Sequence, residues 1–164
     1  MSTGTTVEHA EIESWVDAAP FRTYLRHLML VGGLSYGCVA LLAGMRPRLA
    51  LHLLHGRRGR ALRKISAESG RQLLGVTPDM VLAVRNRLVP ARTTVRHLDR
   101  LLEEGWSVLE LARVLGVTAA EVTLLLSGDA RSCSQLTALR AAAEVDLAGW
   151  SLTGRSPSSL RQAA

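Results

Sequence analysis

The sequence has little of what disulfide-rich, metal-binding or β-rich proteins depend on. Only two of its 164 residues are cysteines, Cys38 and Cys133, and only 4% are aromatic. Two cysteines cannot build a disulfide framework, and the chain has no C-x-x-C pair of the kind that holds zinc. A core dominated by Leu, Ala and Val suits small helical domains better than a β-sandwich or barrel. We therefore expect an all-α protein in a reducing cytoplasm.

Signatures of catalysis and of cofactor binding are missing as well. The chain shows no paired catalytic carboxylates and no nucleophile motif, and the stretch Gly56–Arg60 lacks the Lys-Ser/Thr of a phosphate-binding loop. His52 and His55 share a helical face at a spacing that can hold a metal ion, but no Cys, Asp or Glu lies near them in sequence. We expect no enzymatic activity, no cofactor and no metal.

One long uncharged run raises the question of a membrane helix. Residues 28–45 carry no charge over 18 positions, the lower limit for a transmembrane span. Gly32-Gly33-Leu34-Ser35 interrupts the run with a turn followed by a helix N-cap. A second stretch of the chain repeats the same pattern and contains charged residues such as Glu110 and Arg113. The sequence therefore predicts soluble helices and no membrane partner.

Positive charge is concentrated in the middle of the chain. The net charge is +6, yet the segment from Arg46 to Arg100 holds 13 Arg or Lys against three acidic residues, a net of +10. The remainder has a net charge of −4, and the first 17 residues hold four acidic residues and no Arg or Lys. This asymmetry is typical of a protein that binds a polyanion, although a solvated arginine-rich surface would look similar.

The most informative pattern is written twice. Residues 34–56 read LSYGCVALLAGMRPRLALHLLHG and residues 106–128 read WSVLELARVLGVTAAEVTLLLSG, which align without a gap. In each copy a small residue, Ala40 or Ala112, lets a second helix approach closely, and Gly44 or Gly116 stands where the chain must turn. This spacing is a helix-turn-helix signature, and its repetition predicts two DNA-reading units.

The remaining helix-capping and helix-breaking residues divide the chain into two small helical domains. Ser66, Ser107 and Thr118 are predicted helix caps, Pro20 and Pro47 suit the first turn of a helix, and no segment is predicted as a strand. Residues 1–17 are predicted to be a flexible acidic tail without a targeting signal. Residues 18–88 form the first helix-turn-helix domain with a basic loop, 89–94 a linker, 95–150 the second domain and 151–164 a flexible tail.

These residues resemble the lambda-repressor-like (Cro/C1-type) helix-turn-helix DNA-binding proteins, in a tandem form similar to regulators of actinobacteria and their phages. The leading helix, the repeated core and the trailing basic loop carry the resemblance, and ELARVLGVTAAEVTLLLSG (residues 110–128) is the cleaner match. In that family the start and one face of the second helix of the motif read bases.

The resemblance implies one set of base-reading positions in each copy. In the first copy they are Arg46, Pro47, Arg48, Leu51, His52 and His55, followed by the phosphate-binding candidates Arg57, Arg58, Arg60, Arg63 and Lys64. In the second copy they are Thr118, Ala119, Ala120, Thr123, Leu124 and Ser127. Arginine at a helix start suits a guanine edge, whereas arginines in a loop suit phosphates. Because the second helix has no arginine, we expect the first copy to supply most of the electrostatic affinity.

The sequence therefore predicts sequence-specific binding of double-stranded DNA by a transcriptional regulator in the cytoplasm, associated with the nucleoid. The chain would act as a monomer reading a composite site or as a homodimer. Two alternatives stay open: a nucleoid-associated protein of low specificity, and an adaptor that contacts a protein of the transcription machinery.

Overall fold

A computed structural model describes residues 14–151, the last two by their backbone alone, and confirms a predominantly helical fold. This part of the chain contains nine helices: α1 Ala19–Gly32, α2 Tyr36–Leu42, α3 Pro47–His55, α4 Ala67–Leu74, α5 Pro78–Ala83, α6 Arg92–Glu103, α7 Val108–Leu115, α8 Ala119–Leu126 and α9 Gln135–Ser151. It also contains four strands: β1 Trp15–Asp17, β2 Lys64–Ser66, β3 Leu88–Pro90 and β4 Ser132–Ser134. The predicted tails lie largely outside the described residues, in segments 1–13 and 152–164.

The helices begin where the sequence places capping residues. The side chains of Ser35 and Ser66 accept hydrogen bonds from the backbone N–H groups three residues on, at the starts of α2 and α4. Ser107 and Thr118 go further, because each forms a full capping box with a glutamate three residues later. Among the described residues the Arg46 side chain makes no capping hydrogen bond, so α3 depends on Pro47 for its start.

The prediction that no strand is present is wrong. β1 pairs with β2 in antiparallel register, Val16 opposite Ile65, and β3 pairs with β4, Val89 opposite Cys133. Each strand is only three residues long, too short to show an alternating pattern in the sequence. The predicted linker 89–94 is in fact the end of β3 and the beginning of α6, and residues 15–17 of the predicted tail are β1.

The strand pairs show that the duplication is longer than the motif that reveals it. The backbone N–H of Ala18 donates to the Arg63 carbonyl at 2.9 Å, and that of Ala91 donates to the Arg131 carbonyl at 3.0 Å. Each bond joins the residue that precedes the first helix of a unit, α1 or α6, to the residue that precedes its second strand, β2 or β4. Each unit is therefore strand, three helices, strand, helix: β1 to α4 in the first, which α5 follows, and β3 to α9 in the second.

Helix α9 joins the two units. Ala141 and Val145 of α9 belong to the core of the second unit, with Leu98 and Leu115. Leu136 and Leu139 of α9 pack against the core of the first unit. Because α9 has apolar residues on two faces, the two units share this helix.

The long uncharged run folds as two helices. Across the described residues, no single helix is long and apolar enough to cross a membrane, and α1 and α2 pass that test only as a pair bent by 103°. Cys38, in the middle of the run, is fully buried in α2. The turn at Gly33, with φ of +59°, separates the two helices as predicted.

Candidate nucleic-acid interface

Both helix pairs have the geometry that the repeated spacing predicts. In the first, the Met45 N–H donates to the Ala40 carbonyl at 2.8 Å across the turn, and Gly44 has φ of +71°. In the second, the Val117 N–H donates to the Ala112 carbonyl at 3.1 Å across the turn that contains Gly116. These equivalent bonds show that α2–α3 and α7–α8 are two copies of one helix-turn-helix.

One stripe of α3 faces outward and carries most of its polar side chains. Arg46, Arg48 and His55 are exposed and His52 is half-buried. Partial burial lowers the pKa of His52, and the positive charges of Arg48 and Arg57 lower it further. His52 therefore lies near both Arg48, one turn earlier on α3, and Arg57 in the loop that follows α3.

Two of the predicted base-reading residues in α3 are not available. Pro47 is buried and Leu51, one turn later on the same face, is only 8% exposed. Helix α9 packs against both α2 and α3 beside this face, and a Cβ placed on Gly37 of α2 would meet Ala143 of α9 at 3.0 Å and Pro47 at 3.8 Å. The interior position of Pro47 and Leu51 corrects their predicted role, since a buried side chain cannot reach a base edge.

The predicted basic loop is a tight hairpin. The N–H of Arg57 donates to the Arg60 carbonyl at 2.9 Å, and the N–H of Arg60 donates back to the Arg57 carbonyl at 3.1 Å. Arg57, Arg58, Gly59 and Arg60 are all exposed. We call these four residues the basic hairpin.

The basic hairpin is fixed to the end of α3. The Arg22 guanidinium of α1 donates to the Leu53 carbonyl at 2.7 Å through Nε and to the Leu62 carbonyl at 2.7 Å through Nη2. This one side chain thus ties the last turn of α3 to the segment leaving the hairpin. No local sequence signal pointed to Arg22, because its partners lie 31 and 40 residues away.

Two more of the predicted phosphate ligands follow the hairpin. Arg63 and Lys64 are exposed at the start of β2, and Arg63 lines a shallow concavity with Arg60 and Ala61. The five predicted cations therefore lie on one segment between α3 and β2.

The equivalent helix of the second unit has an open but nearly neutral surface. Thr118, Ala120, Thr123, Leu124 and Ser127 are exposed, and Ala119 is half-buried. Among the described residues, no helix covers this face of α8 in the way that α9 borders α3 in the first unit.

The hydroxyl groups of α8 already donate within the chain. Thr118 Oγ1 donates to Glu121 at 2.9 Å, Thr123 Oγ1 to the Ala119 carbonyl at 2.9 Å, and Ser127 Oγ to Asp129 at 2.6 Å. Hydrogen bonds from the Thr118 backbone and side chain lower the pKa of Glu121, so its carboxylate stays charged. Two acids therefore lie at the ends of this face, where they oppose contact with a phosphate backbone.

Comparisons with known proteins found no counterpart: no protein-family model, no curated protein and no solved structure matches the chain.

Proposed function

We propose that this chain binds double-stranded DNA sequence-specifically as a lambda-repressor-like transcriptional regulator, with α3 in the major groove. The observation that carries the proposal is the continuity of exposed cations from the start of α3, at Arg46 and Arg48, into the basic hairpin, which Arg22 ties to the last turn of α3. A helix in the major groove presents its outward side chains to base edges, while nearby cations contact the flanking backbone.

Arg46 and Arg48 are the base-reading residues in this proposal. Both are exposed at the start of α3, where a guanidinium can bond the O6 and N7 atoms of guanine. His52 and His55 continue the same stripe one and two turns on. Arg63 and Lys64 supply phosphate contacts, which add affinity without sequence information.

The second unit plays a lesser part in DNA contact. Its α8 has no cation, and Glu121 and Asp129 flank its exposed face. A role as protein adaptor is the second candidate function, and for α8 it is favoured by Leu124, which is 50% exposed on an otherwise neutral face.

Selection from a pool of random duplexes, at about physiological salt, tests the proposal directly. We expect the full chain to retain one enriched motif. Retention without enrichment would replace the regulator with a nucleoid-associated protein of low specificity. Retention of no duplex would overturn DNA binding and favour the adaptor.

Paired variants then separate base readout from phosphate binding. Arg46→Ala with Arg48→Ala should weaken binding to the enriched motif by about 1–3 kcal/mol for each arginine–base pairing removed, with little effect on other duplexes. Arg63→Ala with Lys64→Ala should weaken all duplexes and reduce the slope of log Kd against log salt by about 0.9 for each phosphate no longer neutralised. Arg96→Ala, an exposed arginine on α6 of the second unit, is the matched control. If both double variants bind every duplex as the wild type does, α3 is not the docking helix.

A further inference from the structure

The basic hairpin is an insertion that only one of the two units carries. Gly56 ends α3 and Gly128 follows α8 at the equivalent position of the repeat, and Arg63 and Arg131 accept equivalent hydrogen bonds. Arg63 lies seven positions after Gly56 in the chain, whereas Arg131 lies three positions after Gly128. The difference of four residues equals the length of the basic hairpin, so the second unit shows the fold without it.

The turn of the hairpin is a tight β-turn with only two residues, Arg58 and Gly59, between its paired ends. Arg58 has φ of +52° and Gly59 has φ of +75°, as in a two-residue type I′ turn. A residue with a side chain seldom adopts positive φ, so Arg58 is held at the tip against its own conformational preference. No described atom lies within 4 Å of a Cβ built on Gly59, so the tip projects into open space.

The base of the hairpin is packed while its tip is free. A Cβ on Gly56 would overlap the Arg60 carbonyl, so the chain leaves α3 in close contact with the hairpin. In addition, Arg22 holds the carbonyl groups of Leu53 and Leu62. The hairpin therefore keeps a fixed position relative to the reading face of α3.

Among residues 14–149 the charge on the hairpin has no acidic partner. The two ion pairs found among the described residues join Arg71 to Glu68 and Arg100 to Glu104. Within that part of the chain no acidic group pairs with Arg57, Arg58 or Arg60. Three guanidinium groups on a four-residue projection concentrate positive charge, which favours binding of an anion.

We propose that the basic hairpin enters the minor groove beside the major-groove segment contacted by α3, with the Arg58 guanidinium inserted at its tip. The inference rests on the proposed DNA binding and adds a second specificity to it. The minor groove is about 6 Å wide, which admits a tight turn or an extended side chain but not a helix. A·T-rich sequences narrow this groove and deepen its negative potential, which attracts arginine. The hairpin thus selects A·T-rich flanks next to the motif that α3 reads.

Inosine substitution gives a sharp test. An inosine–cytosine pair presents the major-groove face of G·C but lacks the amino group in the minor groove, where it resembles A·T. The enriched motif is placed in three duplexes whose two flanks contain only A·T, only I·C or only G·C pairs. We expect the full chain to bind the A·T and I·C duplexes alike, and on the order of tenfold more tightly than the G·C duplex.

The variants keep the turn while removing the guanidinium. Arg58→Asn leaves Asn-Gly, the pair that type I′ turns prefer, and should bind all three duplexes with the same affinity. Arg58→Lys keeps the charge without the planar guanidinium and should lose most of the preference. Arg96→Ala removes the same charge from the second unit and should retain the preference.

Each contrary result has a distinct meaning. Equal binding of the three duplexes by the wild type, or a preference that survives in Arg58→Asn, overturns the hairpin inference and leaves DNA binding intact. If the I·C duplex binds as weakly as the G·C duplex, the flanks are read from the major groove, which also overturns the hairpin inference. Binding of none of the three duplexes would remove both this inference and the proposed function.

Discussion

With α3 docked on DNA as proposed, His52 is expected to couple binding to pH. Partial burial and the charges of Arg48 and Arg57 lower its pKa in the free protein. A phosphate backbone placed against the same surface opposes those charges and raises the pKa, so binding takes up a proton. Affinity should therefore be lowest above the pKa of the complex, rise as the pH falls between the two pKa values, and level off below that of the free protein.

The check is the Kd for the enriched duplex across pH, with calorimetry in two buffers of different ionisation enthalpy. His52→Gln should remove most of the proton uptake. His27→Gln, at an exposed histidine on α1 outside the reading stripe, should retain it. Absence of proton uptake by the wild type would show that His52 does not face phosphate.

The candidate site could be predicted residue by residue only where local sequence decides exposure. Arg46 and Arg48 are exposed at the start of α3, in positions that the resemblance implied. Pro47 and Leu51 share the predicted reading face, and no local pattern excludes them from it. Their burial beside α9 is a tertiary effect, because α9 begins only at Gln135, far along the chain.

At the scale of an element, the two equivalent turns allow a matched test of backbone strain. Gly44 and Gly116 have φ of +71° and +66°, so alanine at either position costs about 1–2 kcal/mol of stability. No described atom lies within 4 Å of a Cβ on Gly44, whereas a Cβ on Gly116 would overlap Arg140 Nη1. That nitrogen donates to the Leu115 carbonyl at the end of α7, at 2.6 Å.

Gly116→Ala should therefore lower the free energy of unfolding by roughly 1–2 kcal/mol more than Gly44→Ala, because it also displaces this hydrogen bond. Denaturant unfolding measures both. In an Arg140→Ala background the hydrogen bond is already absent, and the extra cost of Gly116→Ala should disappear. Equal costs for the two alanine variants in the wild-type background would contradict this account.

Helices and strands differ in how much of them the sequence reveals. Serine and threonine caps and the turn glycines mark the starts and ends of α2, α4, α7 and α8, since a cap acts within three residues. The strands left no such signal, because each is three residues long and its partner lies more than 40 residues away. The basic hairpin was predicted only as a loop, although Gly59 at its third position is typical of a type I′ turn.

At the scale of the whole molecule, α9 makes the duplicated chain one structure rather than two domains on a linker. Its Ala141 and Val145 complete the second core, while Ala143 lies against Gly37 of the first unit and is 4% exposed. The strand β3 covers the start of the predicted linker and is itself paired with β4. Helix α3 therefore has a fixed orientation relative to the second unit.

This sharing predicts one cooperative unfolding transition for the wild type, with equal calorimetric and van't Hoff enthalpies. Ala143→Asp buries a carboxylate between α9 and α2, and burying an unpaired charge there costs several kcal/mol. The variant should separate α9 from α2 and α3 and split the transition in two, with the first unit melting at the lower temperature.

Gly37→Leu, which crowds the same packing from the other side, should give the same result. Ala142→Asp, at the half-buried neighbouring position, should keep one transition. Two transitions in the wild type, or identical melting of the two aspartate variants, would mean that the units fold independently and that α9 does not fix α3.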